Sequence, residues 1–469
     1  MQQSIKKSAN CCYIYSLYIW GAKQMQLYSS LIDEINKLET EEYFGCVTGV
    51  KGLFIEVSGI RHRLSIGDRC HVCTTNGTHV TCELVSFMGD KLLLMPYGSL
   101  EGIGLGCKVE VDNATPVIYP HESWLGRIVN AFGEAIDGKG PLIKGNKPYY
   151  IKSSPPPAQF RDRVQGKVDL GVKAVNTFLT ICKGQRMGIF AGSGVGKSTL
   201  MSMMAKNTDS DISIIGLIGE RGREAKEFVE DTLGEEGLAK SVLVLATSDE
   251  SPLMRRQAAY TTMAISEFFR DNNKNVLCMM DSITRFAMAQ REISLSVGEP
   301  PASKGYTPSV FAELPRLLER AGPGAGNGTI TGLFTVLVDG DDHNEPVADA
   351  VRSILDGHIV LDRSIAERGR YPAINILRSI SRTMPDCDTP EEYAIVAKAR
   401  KYISAYENMA ELIRLGAYKK GSNKEVDEAI FYYPKIEEFL SQRKGEKISL
   451  AECYQQLDTI LAEPFNPQG

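Results

Sequence analysis

Met187–Thr199, MGIFAGSGVGKST, sets an apolar run directly before a glycine-rich segment that closes on Lys-Ser-Thr. It nearly matches G-x-x-x-x-G-K-[ST], the phosphate-binding loop, with Ala191 in place of the first glycine. Strand, loop and helix start are the context such a loop needs. Gly192, Ser193, Gly194, Val195 and Gly196 would form the cradle, the glycines baring N–H groups toward phosphate oxygens at the positive end of a helix dipole. Lys197 would reach the β- and γ-phosphates, Ser198 would ligate Mg2+, and Thr199 would contact the α-phosphate. Ala191 is compatible with this if its φ is negative, where a methyl group costs little.

A phosphate loop needs a carboxylate on a second strand to hold the metal. NVLCMMDS, residues 275–282, ends its apolar run on Asp281, where the carboxyl end of a parallel strand meets the ligand crevice. Hydrolysis also needs a group that orients and deprotonates water. IIGLIGERGRE, residues 214–224, places Glu220 directly after another apolar strand, and Arg221, Arg223 and Glu224 follow. Glu220 is the candidate base, and Arg221, adjoining it, is counted among the catalytic candidates. Taken one at a time, Asp281 could be only a turn residue and Glu220 only part of a solvated charge cluster. Their common placement after apolar strands is what joins them to the loop.

Outward from this core, 469 residues exceed what one hydrophobic core supports, so several domains are expected. Residues 1–24 read as an upstream extension without a role in the fold. Residues 25–42 carry an amphipathic helix, MQLYSSLIDEINKL, with Leu27, Leu31, Ile35 and Leu38 on one stripe, which either packs on its own domain or, since the following domain looks complete without it, docks a partner. Residues 43–116 read as a small antiparallel β-barrel built from FGCVTGV, LFIEVSGI, HRLSIGD, CHVCTT, HVTCELVSF, KLLLMPYG and CKVEVD. Residues 117–385 alternate apolar strands with helices, the pattern of a three-layer α/β domain. Residues 386–469 turn helical. No window is apolar enough to span a membrane.

A net charge of −5 gives no overall basic footprint, and the barrel strands lack interleaved arginines and aromatics. Nucleic acid is therefore not expected as a partner. Eleven scattered cysteines suggest reduced thiols in a reducing, cytoplasmic compartment. Cys70-His71-Val72-Cys73 has the spacing of a half zinc site but sits in a strand-like run, which favours core, because a structural site needs four ligands. DGDDHNEP, residues 339–346, and GPGAGNG, residues 322–328, read as surface loops.

AGSGVGKST, LIGERGRE, MMDSITRFAMAQREI, GEPPASKGYTPSVFAELPRLLERAG and ILDGHIVLDRSIAERGRYPAINILRSISRTMP together resemble the catalytic subunit of the rotary ATPases. They resemble more closely the protein-export ATPases of type III secretion, and GEPPASKGYTPSVF and ERGRYPAINILRSISRTMP lean to the flagellar branch over the injectisome one. The resemblance implies a barrel, a RecA-like P-loop domain and a helical C-terminal domain in a homohexameric ring. It implies ATP and Mg2+, and export substrates handed over by chaperones to a membrane gate. It also implies a stalk-like partner, a stator-like regulatory partner at the N-terminal helix, and a position peripheral to the inner membrane. Position by position, Lys197 and Ser198 match the loop lysine and metal ligand, Glu220 the base, and Asp281 the metal carboxylate. Tyr371 matches the aromatic on adenine, and Arg382 the arginine finger that a neighbouring subunit inserts. Where the rotary family places a second aromatic, this chain has Gly416 and, two positions on, Tyr418. A non-catalytic ring subunit would lack the base, and a hexameric RNA translocase would show basic and aromatic barrel contacts.

Overall fold

A computed structural model describes residues 44–465 apart from 113–115, 158, 160, 339, 341, 343 and 344. The upstream extension, the amphipathic stretch 25–42 and half of the 339–346 loop therefore lie outside the described residues.

Six antiparallel strands close the N-terminal barrel: β1 (Phe44–Lys51), β2 (Phe54–Ser58), β3 (Arg69–Cys73), β4 (His79–Met88), β5 (Lys91–Pro96) and β6 (Lys108–Asp112). They run in the order β1-β2-β5-β4-β3-β6, with β6 pairing back onto β1. Alternation does the sorting, since successive side chains of a strand point to opposite faces. In β3, Cys70 and Val72 go inward to Ile55, Leu84 and Val109 while Arg69, His71 and Cys73 face out. HRLSIGD, expected as a strand, is a short 3-10 turn at Arg61–Arg63 and a loop. Leu64 is buried there while Ile66, which a strand would turn to the same side, is 67% exposed, so no strand face is formed.

The second body is a largely parallel sheet in the order β19 (Ile380–Ser381), β18 (Gly357–Leu361), β12 (Arg186–Ala191), β17 (Thr329–Leu337), β15 (Asn275–Asp281), β13 (Ile212–Glu220), β14 (Ser241–Thr247), β8 (Ile128–Val129). The short β16 (Gly322–Pro323) pairs with β17, and two small ladders, β7 (Val117–Ile118) with β9 (Tyr149–Tyr150) and β10 (Gln165–Val168) with β11 (Ile181–Lys183), flank the sheet. The central strands are apolar on both faces, as strands covered on both sides must be. Ile189, Ile215, Leu217, Leu277 and Met279 enter one core, and their neighbours Phe190, Ile214, Ile218, Cys278 and Met280 enter the other. Two layers of helices follow from that alternation.

The longer helices, numbered in chain order, are α1 (Lys197–Asn207), α2 (Pro252–Asp271), α3 (Ile283–Ser296), α4 (Pro308–Leu318), α5 (Pro346–Ile354), α6 (Pro390–Arg414), α7 (Lys424–Leu440) and α8 (Leu450–Ala462). Their starts are written in the sequence. Ser251 accepts from Met254 N–H ahead of Pro252, and Thr389 with Glu392, and Ser449 with Glu452, form capping boxes. Helices α6 to α8 are not a separate globule. Their Tyr402, Ile436 and Leu457 share a core with Phe178, Met187 and Leu200 of the ATPase body. No described helix is long and apolar enough to cross a membrane.

Barrel and sheet are joined by a buried polar knot. Arg256 of α2 donates to Glu83 of β4 at 2.6 Å, and Lys152 (3.2 Å) and the Tyr97 hydroxyl (2.6 Å) also bond Glu83. Against the expectation of reduced thiols, Cys182 of β11 and Cys387 form a disulfide, with Cα atoms 6.6 Å apart. The two cysteines are 205 positions apart, so only the packed fold brings them together.

Candidate active site

The crevice lies at the carboxyl ends of β12, β13 and β15. Ala191 is the last residue of β12 and fully buried, and it is not among the described non-glycine residues with positive φ. Negative φ is the condition under which alanine serves as well as glycine. The glycines that matter follow it: Gly194 at φ +78° and Gly196 at +91° take conformations closed to other residues without strain. Val195 turns its side chain into the core, so only its backbone is available to a ligand. Ser193, Ser198 and Thr199 stay exposed at the mouth.

Lys197, Glu220 and Asp281 converge. Lys197 Nζ makes a short ion pair with Asp281 Oδ1 and stands 3.6 Å from Glu220 Oε1. All three side chains are largely buried, at 11%, 13% and 6% exposure, so two carboxylates and one ammonium share little solvent. Thr335 of β17 donates to Asp281 Oδ1 at 2.7 Å and fixes its orientation. Burial raises the pKa of Glu220, Lys197 pulls it down, and Asp281 pushes it up again, with a net rise. Glu220 Oε1 is buried without a hydrogen-bond partner among the described residues. That unsatisfied oxygen, facing a cation and a second carboxylate, is poised to accept a proton.

Backbone geometry aims Glu220. Gly219, at φ +69°, makes the register of β13 slip against β14 between Ile218 and Glu220. Such a bulge redirects the next side chain, and a Cβ at Gly219 would meet Arg285 Cβ at 3.0 Å. Arg221, one residue on, is exposed and bonds Glu224 at 3.4 Å, outside the buried cluster. Tyr371 packs over the loop, its ring 3.4 Å from where a Gly196 Cβ would stand, and remains 45% exposed. Gln442, just past α7, donates its N–H to the Tyr371 carbonyl at 2.8 Å and ties that residue to the C-terminal helices. Tyr418 bonds Asp427 (3.0 Å) and the Asn423 carbonyl (2.9 Å), so it braces the loop ahead of α7.

Arg382 is placed apart from all of these. Ser381 pairs with Gly357, which pairs with Met187, whereas the phosphate loop leaves the sheet at Ala191, paired with Leu361. Four residues along and two strands across correspond to roughly 13 Å and 10 Å at ordinary strand spacings. The Arg382 N–H bonds the Asp356 carbonyl, so the chain runs farther away still. Its exposed side chain therefore lies at the opposite end of the sheet from its own loop.

Three contributors were not legible in the sequence. Thr335 sits inside an apolar run, Gly219 reads as one glycine among 43, and Arg363 donates to the Ser193 carbonyl at 3.2 Å from a position 170 residues away. A polar residue inside a buried strand was the one available signal, and it fits Thr335 alone.

A metal fits the donor set. Ser198 and Asp281 offer oxygen ligands, the chemistry that hard Mg2+ requires.

The ATP synthase alpha/beta family, nucleotide-binding domain, matches residues 171–381, and the C-terminal domain of the type III secretion ATPase EscN matches 389–459. The flagellum-specific ATP synthase of Caulobacter vibrioides is 57% identical over 93% of this chain and 100% of its own length. That of Bacillus subtilis is 50% identical over 92% and 98%. Among solved structures, the assembled ATPase EscN of the enteropathogenic E. coli type III secretion system is 38% identical, with a TM-score of 0.83, over 89% of this chain and all of that one. EscN in complex with its central stalk EscO gives a TM-score of 0.82 over the same share.

Proposed function

This chain belongs to the flagellum-specific ATP synthases, the flagellar branch of the type III export ATPases, and from that premise we propose that it hydrolyses ATP at sites shared between neighbouring subunits of a homohexameric ring. The carrying observation is the split of the catalytic set: Lys197, Glu220 and Asp281 converge at one end of the sheet and Arg382 stands at the other. One subunit thus supplies the loop and base to one neighbour and the arginine to the next.

In this reading the N–H groups from Gly192 to Gly196 hold the phosphates, and Thr199 adds its hydroxyl. Lys197 leaves Asp281 for the phosphate oxygens. Ser198 and Asp281 would hold Mg2+, which supplies charge neutralisation at the phosphate oxygens. Glu220, deprotonated, takes the proton of the attacking water. A neighbour's Arg382 meets the charge of the transferring phosphoryl group, an effect worth about 10³ to 10⁵ in rate. Arg221, exposed beside the base, is assigned to the subunit boundary. Tyr371 stacks on the base from one side; Tyr418 is engaged elsewhere, so a clamp from the second side is not ascribed to it.

The cycle drives release and unfolding of export substrates from their chaperones for a membrane gate. Residues 43–116 assemble the ring, 117–385 bind nucleotide, and 386–469 face the substrates, the gate and a stalk-like partner. The stretch 25–42 is left to a stator-like regulator and residues 1–24 to no structural role. The site is cytoplasmic and peripheral to the inner membrane. The flagellar branch is preferred to the injectisome one because the flagellar relatives are 57% and 50% identical, against 38% for EscN.

Mixing Arg382→Ala with Lys197→Ala subunits tests the split. Each alone is inactive, and mixtures recover part of the ATPase rate because some boundaries carry both intact halves. Absence of recovery at every mixing ratio, with mixed rings demonstrated, would refute it.

A further inference from the structure

The CxxC spacing that drew attention in the sequence dissolves in the barrel. Cys70 and Cys73 are three apart on one strand and face opposite ways, Cys70 into the core with its thiol 3.9 Å from the Cys82 carbonyl, Cys73 outward. The outward face offers Cys73 different company. His79 of β4 is its direct cross-strand partner, and Glu110 comes from β6 on the other side. The three donor atoms all lie within 4.8 Å of one another, and Cys73 Sγ stands 3.5 Å from His79 Nδ1.

We propose that Cys73, His79 and Glu110 bind one Zn2+ on the outer face of the barrel, as a three-ligand site with its fourth position open to water. Bond lengths of about 2.3 Å to sulfur and 2.0–2.1 Å to nitrogen, in tetrahedral geometry, set the sulfur to nitrogen distance at about 3.5 Å. The side chains already hold that separation. A thiolate, an imidazole and a carboxylate together select zinc over the oxygen-bound magnesium of the nucleotide site. The hairpin holds the pair in register: Gly77 at φ +78° makes the turn, and the Thr74 and Thr78 hydroxyls bond at 2.7 Å in the next rung toward it. Two charged or titratable neighbours border the site, His71 as the cross-strand partner of Glu110 and Lys108 beside it. His71 bonds Thr81 at 3.3 Å and faces Asp112 at 3.5 Å, while Lys108 bonds one oxygen of Glu110 at 3.0 Å and would have to yield it or share it. On binding, the Cys73 thiol releases its proton to the buffer.

Full-length protein, stripped by chelator and free of nucleotide, is titrated with Zn2+ against a chromophoric competitor. One equivalent per chain is expected. Cys73→Ser, His79→Ala and Glu110→Gln should each weaken it by more than the ~10- to 100-fold that loss of an outer-shell partner causes. Cys46→Ser and His71→Ala should leave it unchanged. Co2+ in place of Zn2+ should show thiolate charge-transfer absorption that Cys73→Ser abolishes. His79 is exposed at a strand end, so its variant tests the site without touching the barrel core. No stoichiometric uptake, or uptake that Cys73→Ser leaves intact, overturns the assignment.

Discussion

At the scale of single residues, the proposed chemistry rests on Glu220 being buried enough to be a stronger base than a surface carboxylate while keeping Lys197 close enough to ionise. Glu220→Gln preserves volume and removes the basicity, so ATP affinity should hold while turnover falls by about 10² to 10⁴. Nucleotide titration and steady-state hydrolysis on the same sample decide this, and undiminished turnover would reject the assignment. The raised pKa has a sign of its own. A base is active only when deprotonated, so the acid limb of kcat should fall at a higher pH than an ordinary glutamate, about 4.3, dictates. A pH profile whose acid limb sits at or below that value contradicts it. Lys197, Glu220 and Asp281 were readable because each follows an apolar strand, and parallel strands deliver their ends to one place. Thr335 and Arg363 were not, because their partners are set by neighbouring strands and by a loop that returns from far along the chain.

At the scale of elements, the sequence displayed the strands of the central sheet because burial on both faces leaves uninterrupted apolar text, as in ISIIGLIGE. It concealed β18, whose GHIVL is bounded by Asp356 and Asp362, and it suggested a strand at HRLSIGD, where Leu64 is buried but Ile66, two positions on, is exposed. The contact between barrel and sheet was invisible for another reason: Glu83 and Arg256 are single charged letters 173 positions apart. Burial pushes the Glu83 carboxyl up, but Arg256 and Lys152 outweigh it and hold the pKa at about 2. Its contribution is therefore complete above the unfolded value near 4.3 and is lost as pH falls toward 2. Arg256→Met strands Glu83 in the interior without its main partner, and should cost about 3–5 kcal/mol in urea unfolding at neutral pH. Protection of residues 97–251 from protease should fall with it, and an unchanged midpoint would show that the knot is dispensable.

At the scale of the whole molecule, barrel, α/β body and C-terminal helices were all legible, while their continuity was not. Helices α6 to α8 complete the core beneath the phosphate-loop strand, and Gln442 reaches back to Tyr371 from just past α7, so the residue packed over the phosphate loop is tied to the C-terminal helices by a hydrogen bond. On the proposed split of the site, hydrolysis becomes a property of assembly. Specific activity of the wild-type chain should rise with protein concentration and vanish on dilution to monomers, in step with the ring fraction seen by sedimentation. A rate per subunit independent of concentration would place the arginine elsewhere. The sheet that keeps Arg382 away from its own loop gives the chain a direction, with a giving edge and a receiving edge. An open row of n such chains holds n − 1 complete sites and two idle ends, and only closure turns the last pair of ends into a working one. Counting active sites against subunits would therefore distinguish a gapped arc from a sealed circle without any image of either.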